Sequence, residues 1–175
     1  MKYAIVTLLA TFVAASAVAQ GTVAFANGPT TKLIDDRTGQ PTQTGGEFTI
    51  GLWWGPVGGE LVQALNNSTG EPATALNQGA ELNAVFAGRF SGGNPLAIQG
   101  AAESADIAFE VRAWDTATQG QTMFGKAAGT TKTGGGTAPA GVLFGTGPGQ
   151  IGSIVIEVVP EPTSFALAGL GAAAL

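Results

Sequence analysis

The sequence predicts an all-β protein, an antiparallel β-sandwich of Ig-like or jelly-roll-like type, and three observations carry that expectation. Short segments alternate apolar and polar residues with a period of two, as half-buried strands do. Glycine and proline, 28 and 9 of 175 residues, punctuate the gaps between them. Charged residues make up 11% of the chain, against roughly 25% in an ordinary globular protein. Tight turns and closely packed backbone should therefore dominate a domain over 20–158, flanked by two helical apolar segments over 1–19 and 159–175.

Taken in order, Gly21–Ala26 places Val23 and Phe25 on one face. The stretch Glu47–Trp54 sets Phe48, Ile50, Leu52 and Trp54 on one side and Thr49, Gly51 and Trp53 on the other, with Gly55 and Pro56 ending it. Leu61–Leu65 and Val85–Phe90 read as further strands, the latter with Phe86 and Phe90 together and Arg89 opposite. Asp106–Asp115 alternates most cleanly: Ile107, Phe109, Val111 and Ala113 share a face, and Glu110, Arg112 and Trp114 share the other. Ile151–Val159 closes the series, with Ile154, Ile156 and Val158 inward. Turn residues fill 41–46, 66–72, 91–95 and 129–139, and Gly129–Thr137 reads as a long flexible loop. Thr74–Leu82 is a weak helical candidate.

Composition excludes several functions. The net charge is −5, and seven Lys and Arg are too few and scattered to neutralise a run of phosphates, so no nucleic-acid partner is expected. Anionic membrane surfaces are disfavoured for the same reason. Without cysteine there are no disulfides, thiolate nucleophiles or thiolate metal sites. Without histidine the commonest general base and metal ligand are missing, and with them every Ser-His and Cys-His mechanism. No cofactor and no metal are expected.

The N-terminus carries Lys2, an apolar run Ala4–Ala15 and the small-x-small ending Ala17-Val18-Ala19 before Gln20. This three-part pattern is that of a cleavable signal peptide, too short to span a membrane, and it predicts cutting by signal peptidase and a mature start at Gln20 or Gly21. At the other end, Val159-Pro160-Glu161-Pro162-Thr163-Ser164 precedes Phe165–Leu175, a run with no polar side chain. Pro160 and Pro162 fix φ and lack an N–H, so they hold an extended stretch accessible to a processing enzyme. The run after them would make a helix of about 17 Å, short of the roughly 30 Å hydrocarbon core.

Those C-terminal residues resemble the PEP-CTERM sorting signal of exopolysaccharide-producing Gram-negative bacteria, through Pro160, Glu161, Pro162 and the run Phe165 to Gly171. The resemblance implies an exosortase-like processing enzyme as partner, transient membrane insertion through the tail, and a final address at the cell surface or outside the cell. Family members also carry a full transmembrane helix and a terminal arginine cluster, neither of which stands before Leu175, so the expectation is a chain that continues beyond it. The segments Leu52-Trp53-Trp54-Gly55-Pro56 and Val111-Arg112-Ala113-Trp114-Asp115 also resemble recurrent pieces of PEP-CTERM proteins that lack a defined activity.

The remaining motifs divide into strings without context and residues with chemistry. Gly120–Ala127 nearly matches a phosphate loop, but Ala127 stands where a magnesium-binding hydroxyl belongs and no helix can follow. Gly147–Gly152 satisfies a dinucleotide fingerprint yet precedes a strand, so a turn is expected. Asp35 and Asp36, between Lys32 and Arg37, could ligate calcium, but local ion pairs in a solvated turn explain them more simply. Asn66 and Asn67 head overlapping glycosylation sequons within a turn. Glu110, Asp115 and Glu157 are formal candidates for a histidine-free glycoside hydrolase, set at outward or strand-end positions where solvated charge is the ordinary reading. Trp53 and Trp54 are the candidate ligand-binding residues, because adjacent residues of one strand cannot both face its core, and an outward indole can stack on a sugar of exopolysaccharide. The expectation is an exported, non-enzymatic surface or matrix-associated structural protein, with a carbohydrate-binding module as the alternative and a carboxylate hydrolase third.

Overall fold

A computed structural model describes residues 20–81 and 83–160. Ala17 and Ala19 of the expected signal segment, Glu161 and Pro162 of the sorting segment, and the apolar run after them lie outside the described residues. The protein is all-β and mostly strand. Its strands are β1 (Gln20–Ala24), β2 (Leu33–Asp35), β3 (Gln40–Pro41), β4 (Phe48–Pro56), β5 (Val62–Gln63), β6 (Thr74–Gln78), β7 (Arg89–Phe90), β8 (Leu96–Ala102), β9 (Asp106–Asp115), β10 (Met123–Lys132), β11 (Gly141–Val142) and β12 (Ile154–Val158), with one 3₁₀ turn at Ala84–Phe86.

Nine strands form one sheet in the order β3-β2-β12-β10-β9-β4-β6-β7, with β5 paired to β4, and a second sheet runs β11-β1-β8. The larger sheet is curled into a half-barrel. Pairing is antiparallel except for β1 with β11 and β2 with β12. The uniformly antiparallel arrangement expected from the sequence is thus corrected: β12, late in the chain, lies beside β2 and runs in the same direction.

One core fills the inside of the curl. Phe48, Ile50 and Leu52 of β4 and Ile107, Phe109, Val111 and Ala113 of β9 point into it, where they meet Val23 and Phe25 from the β1 end and Leu96 and Ile98 of β8. Phe90 packs edge-to-face on Phe25 and on Phe144, with ring centroids 5.3 and 5.4 Å apart, a geometry that favours aromatic quadrupoles. Two buried asparagines complete the backbone hydrogen bonding where strands stop. Asn27 accepts from the Phe90 N–H and donates to the carbonyls of Thr31 and Gly88; Asn77 accepts from the Phe48 N–H and donates to Thr42 Oγ1 and the Thr44 carbonyl. Each satisfies backbone groups that would otherwise be buried without partners.

Several expected elements are replaced. The helical candidate at 74–82 is strand β6 over its first five residues, held against β4 with Leu76 opposite Thr49. The strand expected at Val85–Phe90 is broken: Phe86 lies in the 3₁₀ turn and is exposed, whereas Phe90 is buried and Arg89 stands over the Phe86 ring. The loop expected over 129–137 is strand as far as Lys132. Val158, expected inward, is 55% exposed. The sequence does not mark β10 because, past Met123, its inward residues Gly125, Ala127 and Gly129 are small. A Cβ on Gly125 would stand 2.2 Å from the Val155 carbonyl oxygen, and one on Gly129 would stand 2.2 Å from that of Gly149. Glycine there admits another stretch of backbone directly against the strand.

Candidate functional site

The outer face of the half-barrel gathers the aromatic and charged residues that the core does not use. The register of β4, β9 and β10 sets them in rows: Thr49, Trp114 and Phe124; Gly51, Arg112 and Lys126; Trp53, Glu110 and Ala128. Strand alternation makes all of them outward-facing. Gly51 is the covered centre of this grid, buried beneath its neighbours. The indoles of Trp53 and Trp114 lean toward each other across it, their centroids 6.1 Å apart at 70°. A Cβ on Gly51 would come within 2.7 Å of Trp53 Cζ3 and 2.9 Å of Trp114 Cη2, so only glycine lets both rings lie over the sheet.

The charges lock this cluster. The Arg112 guanidinium lies 4.1 Å from the centre of the Trp53 ring, within cation–π range. Arg112 also donates to Glu110 Oε1, and Lys126 Nζ stands 3.3 Å from Glu110 Oε2. Glu110 is 8% exposed, which corrects the solvated charge expected there. Burial opposes its ionisation, but the two cations outweigh it and hold its pKa below the usual carboxylate range.

Trp53 and Trp54 part company as alternation requires. Trp53 belongs to the outer cluster, while Trp54 packs against the core. The second indole of the outer face is Trp114, which the alternation of Asp106–Asp115 also marked as outward; the pairing across Gly51 depends on register and has no local signal. Phe124 enters the same face beside Trp114, in a strand the sequence did not suggest.

The carboxylates are structural in their contacts. Asp115 is 7% exposed, not solvated, and accepts from the N–H groups of Thr118 and Met123 and from the Thr118 hydroxyl, closing the turn between β9 and β10. Burial acts against its charge, yet those bonds and one from Thr122 prevail and bring its pKa down to about 2. A hydrolytic pair needs one carboxyl raised enough to give a proton; Glu110 and Asp115 are both shifted the other way. Glu157 is exposed on β12.

The lesser motifs resolve into structure. Asp35, first through its hydrogen bonds from Arg37 and against the cost of burial, is held below its usual pKa, and Arg37 also bridges to Glu47 at 2.9 Å. Asp36 is exposed, and among the described residues no three acidic side chains gather as a metal site requires. Lys126 lies on strand β10 rather than at a helix start, so the phosphate-loop string has the wrong geometry. Gly147–Gln150 is a turn closed by the Gln150 N–H donating to the Gly147 carbonyl. Asn66 caps its own turn by accepting from the Ser68 N–H. Gln20 begins β1, and Pro160 is exposed two residues after β12.

The chain matches no family model, no curated protein and no solved structure. What it does must be read from its own residues.

Proposed function

We propose that this chain is an exported, non-enzymatic protein of the cell surface or extracellular matrix, trimmed by signal peptidase near Ala19 and by an exosortase-like enzyme at Pro160-Glu161-Pro162. The observation that carries this reading is the pair of terminal motifs in the sequence: Lys2, the apolar run Ala4–Ala15 and Ala17-Val18-Ala19 at one end, and Pro160-Glu161-Pro162 before the apolar run Phe165–Leu175 at the other. Pro160 is exposed two residues after β12. Removal of both ends would leave every described strand, in this reading a sandwich in which β11-β1-β8 closes the curled sheet. No helix among the described residues is long and apolar enough to cross a membrane; in this reading the apolar tail Phe165–Leu175 provides the anchorage. Transient insertion there is the step on which the processing enzyme acts.

The test is cell fractionation of tagged protein in the producing cell. Export to the surface or medium is expected for the unaltered chain, and retention in the membrane fraction for the double variant Pro160→Ala, Glu161→Ala. Unchanged release of that variant would defeat the sorting step.

A second reading, favoured by Trp53 and Trp114 meeting over Gly51, is that the outer face holds a saccharide of the surrounding exopolysaccharide. Aromatic rings supply the apolar contact for sugar C–H groups, and the flanking Thr49, Arg112 and Lys126 supply hydrogen-bonding groups. In a Trp53→Ala, Trp114→Ala variant, retention on the cell's polysaccharide should vanish while Trp54→Ala, if folded, retains it.

A further inference from the structure

The ladder between β10 and β12 opens after two pairs, Met123 with Val158 and Phe124 with Glu157. Beyond them the β12 backbone passes close under β10, in the space that Gly125 leaves by lacking a Cβ. The split leaves a notch of about 260 Å³ lined by Phe124, Gly125, Lys126, Val155 and Glu157. It adjoins the aromatic cluster directly, because Phe124 stands opposite Trp114 on the neighbouring strand, where facing side chains are about 5 Å apart at Cβ.

We infer that this notch is a subsite for one pyranose unit of a neutral polysaccharide whose chain continues over Trp114 and Trp53. The inference rests on the saccharide reading of the outer face and adds to it a defined end and a choice of ligand. Phe124 offers a ring, half-buried and therefore fixed, for the apolar face of the sugar. Lys126 supplies donors: its side chain is 60% exposed, and its contact to Glu110 engages one Oε at 3.3 Å, leaving further N–H groups of the ammonium for hydroxyl oxygens. Glu157, exposed on β12 and without an ion pair among the described residues, supplies an acceptor for hydroxyl protons. A cation and an anion side by side present no net charge to the ligand. The chain as a whole carries −5, which repels polyuronates, so the chemistry selects uncharged, hydroxyl-rich units.

The experiment is affinity electrophoresis of the full chain in gels containing a soluble β-1,3-glucan, a β-mannan, dextran or polygalacturonate. At least one neutral polymer should retard the protein and polygalacturonate should not. Phe124→Ala and Glu157→Ala should each weaken that retardation about tenfold, the loss expected for one well-placed contact. Glu157→Ala truncates an exposed side chain and removes its acceptor oxygens, so it carries the test if Phe124→Ala fails to fold. Full binding by Glu157→Ala and by folded Phe124→Ala, with binding lost in Trp53→Ala, Trp114→Ala, would overturn the notch and leave the outer-face reading standing. Preference for polygalacturonate would overturn the neutral assignment. No retardation of the unaltered chain by any neutral polymer would overturn both.

Discussion

Along β9, alternate residues live under two different kinds of force. Ile107, Phe109, Val111 and Ala113 point inward and are at most 2% exposed, held by the removal of apolar surface from water, which is indifferent to direction and nearly indifferent to pH. Glu110, Arg112 and Trp114 point outward and hold one another and Trp53 by ion pairs, edge-to-face aromatic contact and cation–π contact over the buried glycine at position 51. The inner face therefore secures the fold. The outer face is ordered by directional contacts among its own side chains.

Substitutions on the two faces of that strand should separate the two forces. Phe109→Ala should have the largest effect, lowering unfolding free energy in urea titration by about 3–5 kcal/mol through lost burial and a residual cavity. Gly125→Val should follow at about 1–3 kcal/mol or more, because the new side chain meets the Val155 carbonyl rather than a flexible neighbour; no loss would mean that β12 does not pass under β10 as described. Acid should act next, through Asp115. Its folded pKa of about 2 lies below the ordinary 3.8, so its stabilising contribution is complete above pH 3.8 and fades as pH falls toward 2. Asp115→Asn should be less stable at neutral pH and show a flatter decline across that window, as read from urea midpoints at each pH. Trp114→Ala should cost less than Phe109→Ala, because the ring is only half-buried, with about 1 kcal/mol of the loss coming from the aromatic pair beyond its burial. If it matched Phe109→Ala, the outer cluster would be a second core and the contrast between the faces would fail.

Legibility in the sequence followed the same division. Asp106–Asp115 could be bounded to the residue because one face is apolar and the other charged, so period two is unmistakable. Phe48, Ile50 and Leu52 were legible for the same reason, and so was the separation of Trp53 from Trp54. Strand β10 was not: on its inner side Gly125 and Gly129 carry no apolar signal, since backbone packs against both, and Ala127 between them is small. Strand β6 read as a helix because Ala75, Leu76 and Gln78 favour one locally, and the Asn77 bond to the Phe48 N–H that fixes it as strand spans 29 residues. The candidate site was half legible in the same sense. Alternation turned Trp53 and Trp114 outward, but the register that brings them together over Gly51 is a property of the folded sheet.

The most direct measurement is the intact mass and terminal sequence of the protein recovered from the surface or medium of the producing cell. The account predicts a chain that starts at Gln20 or Gly21 and has lost the apolar run after Ser164. A soluble intracellular chain still carrying Met1–Ala19 and that run would contradict it.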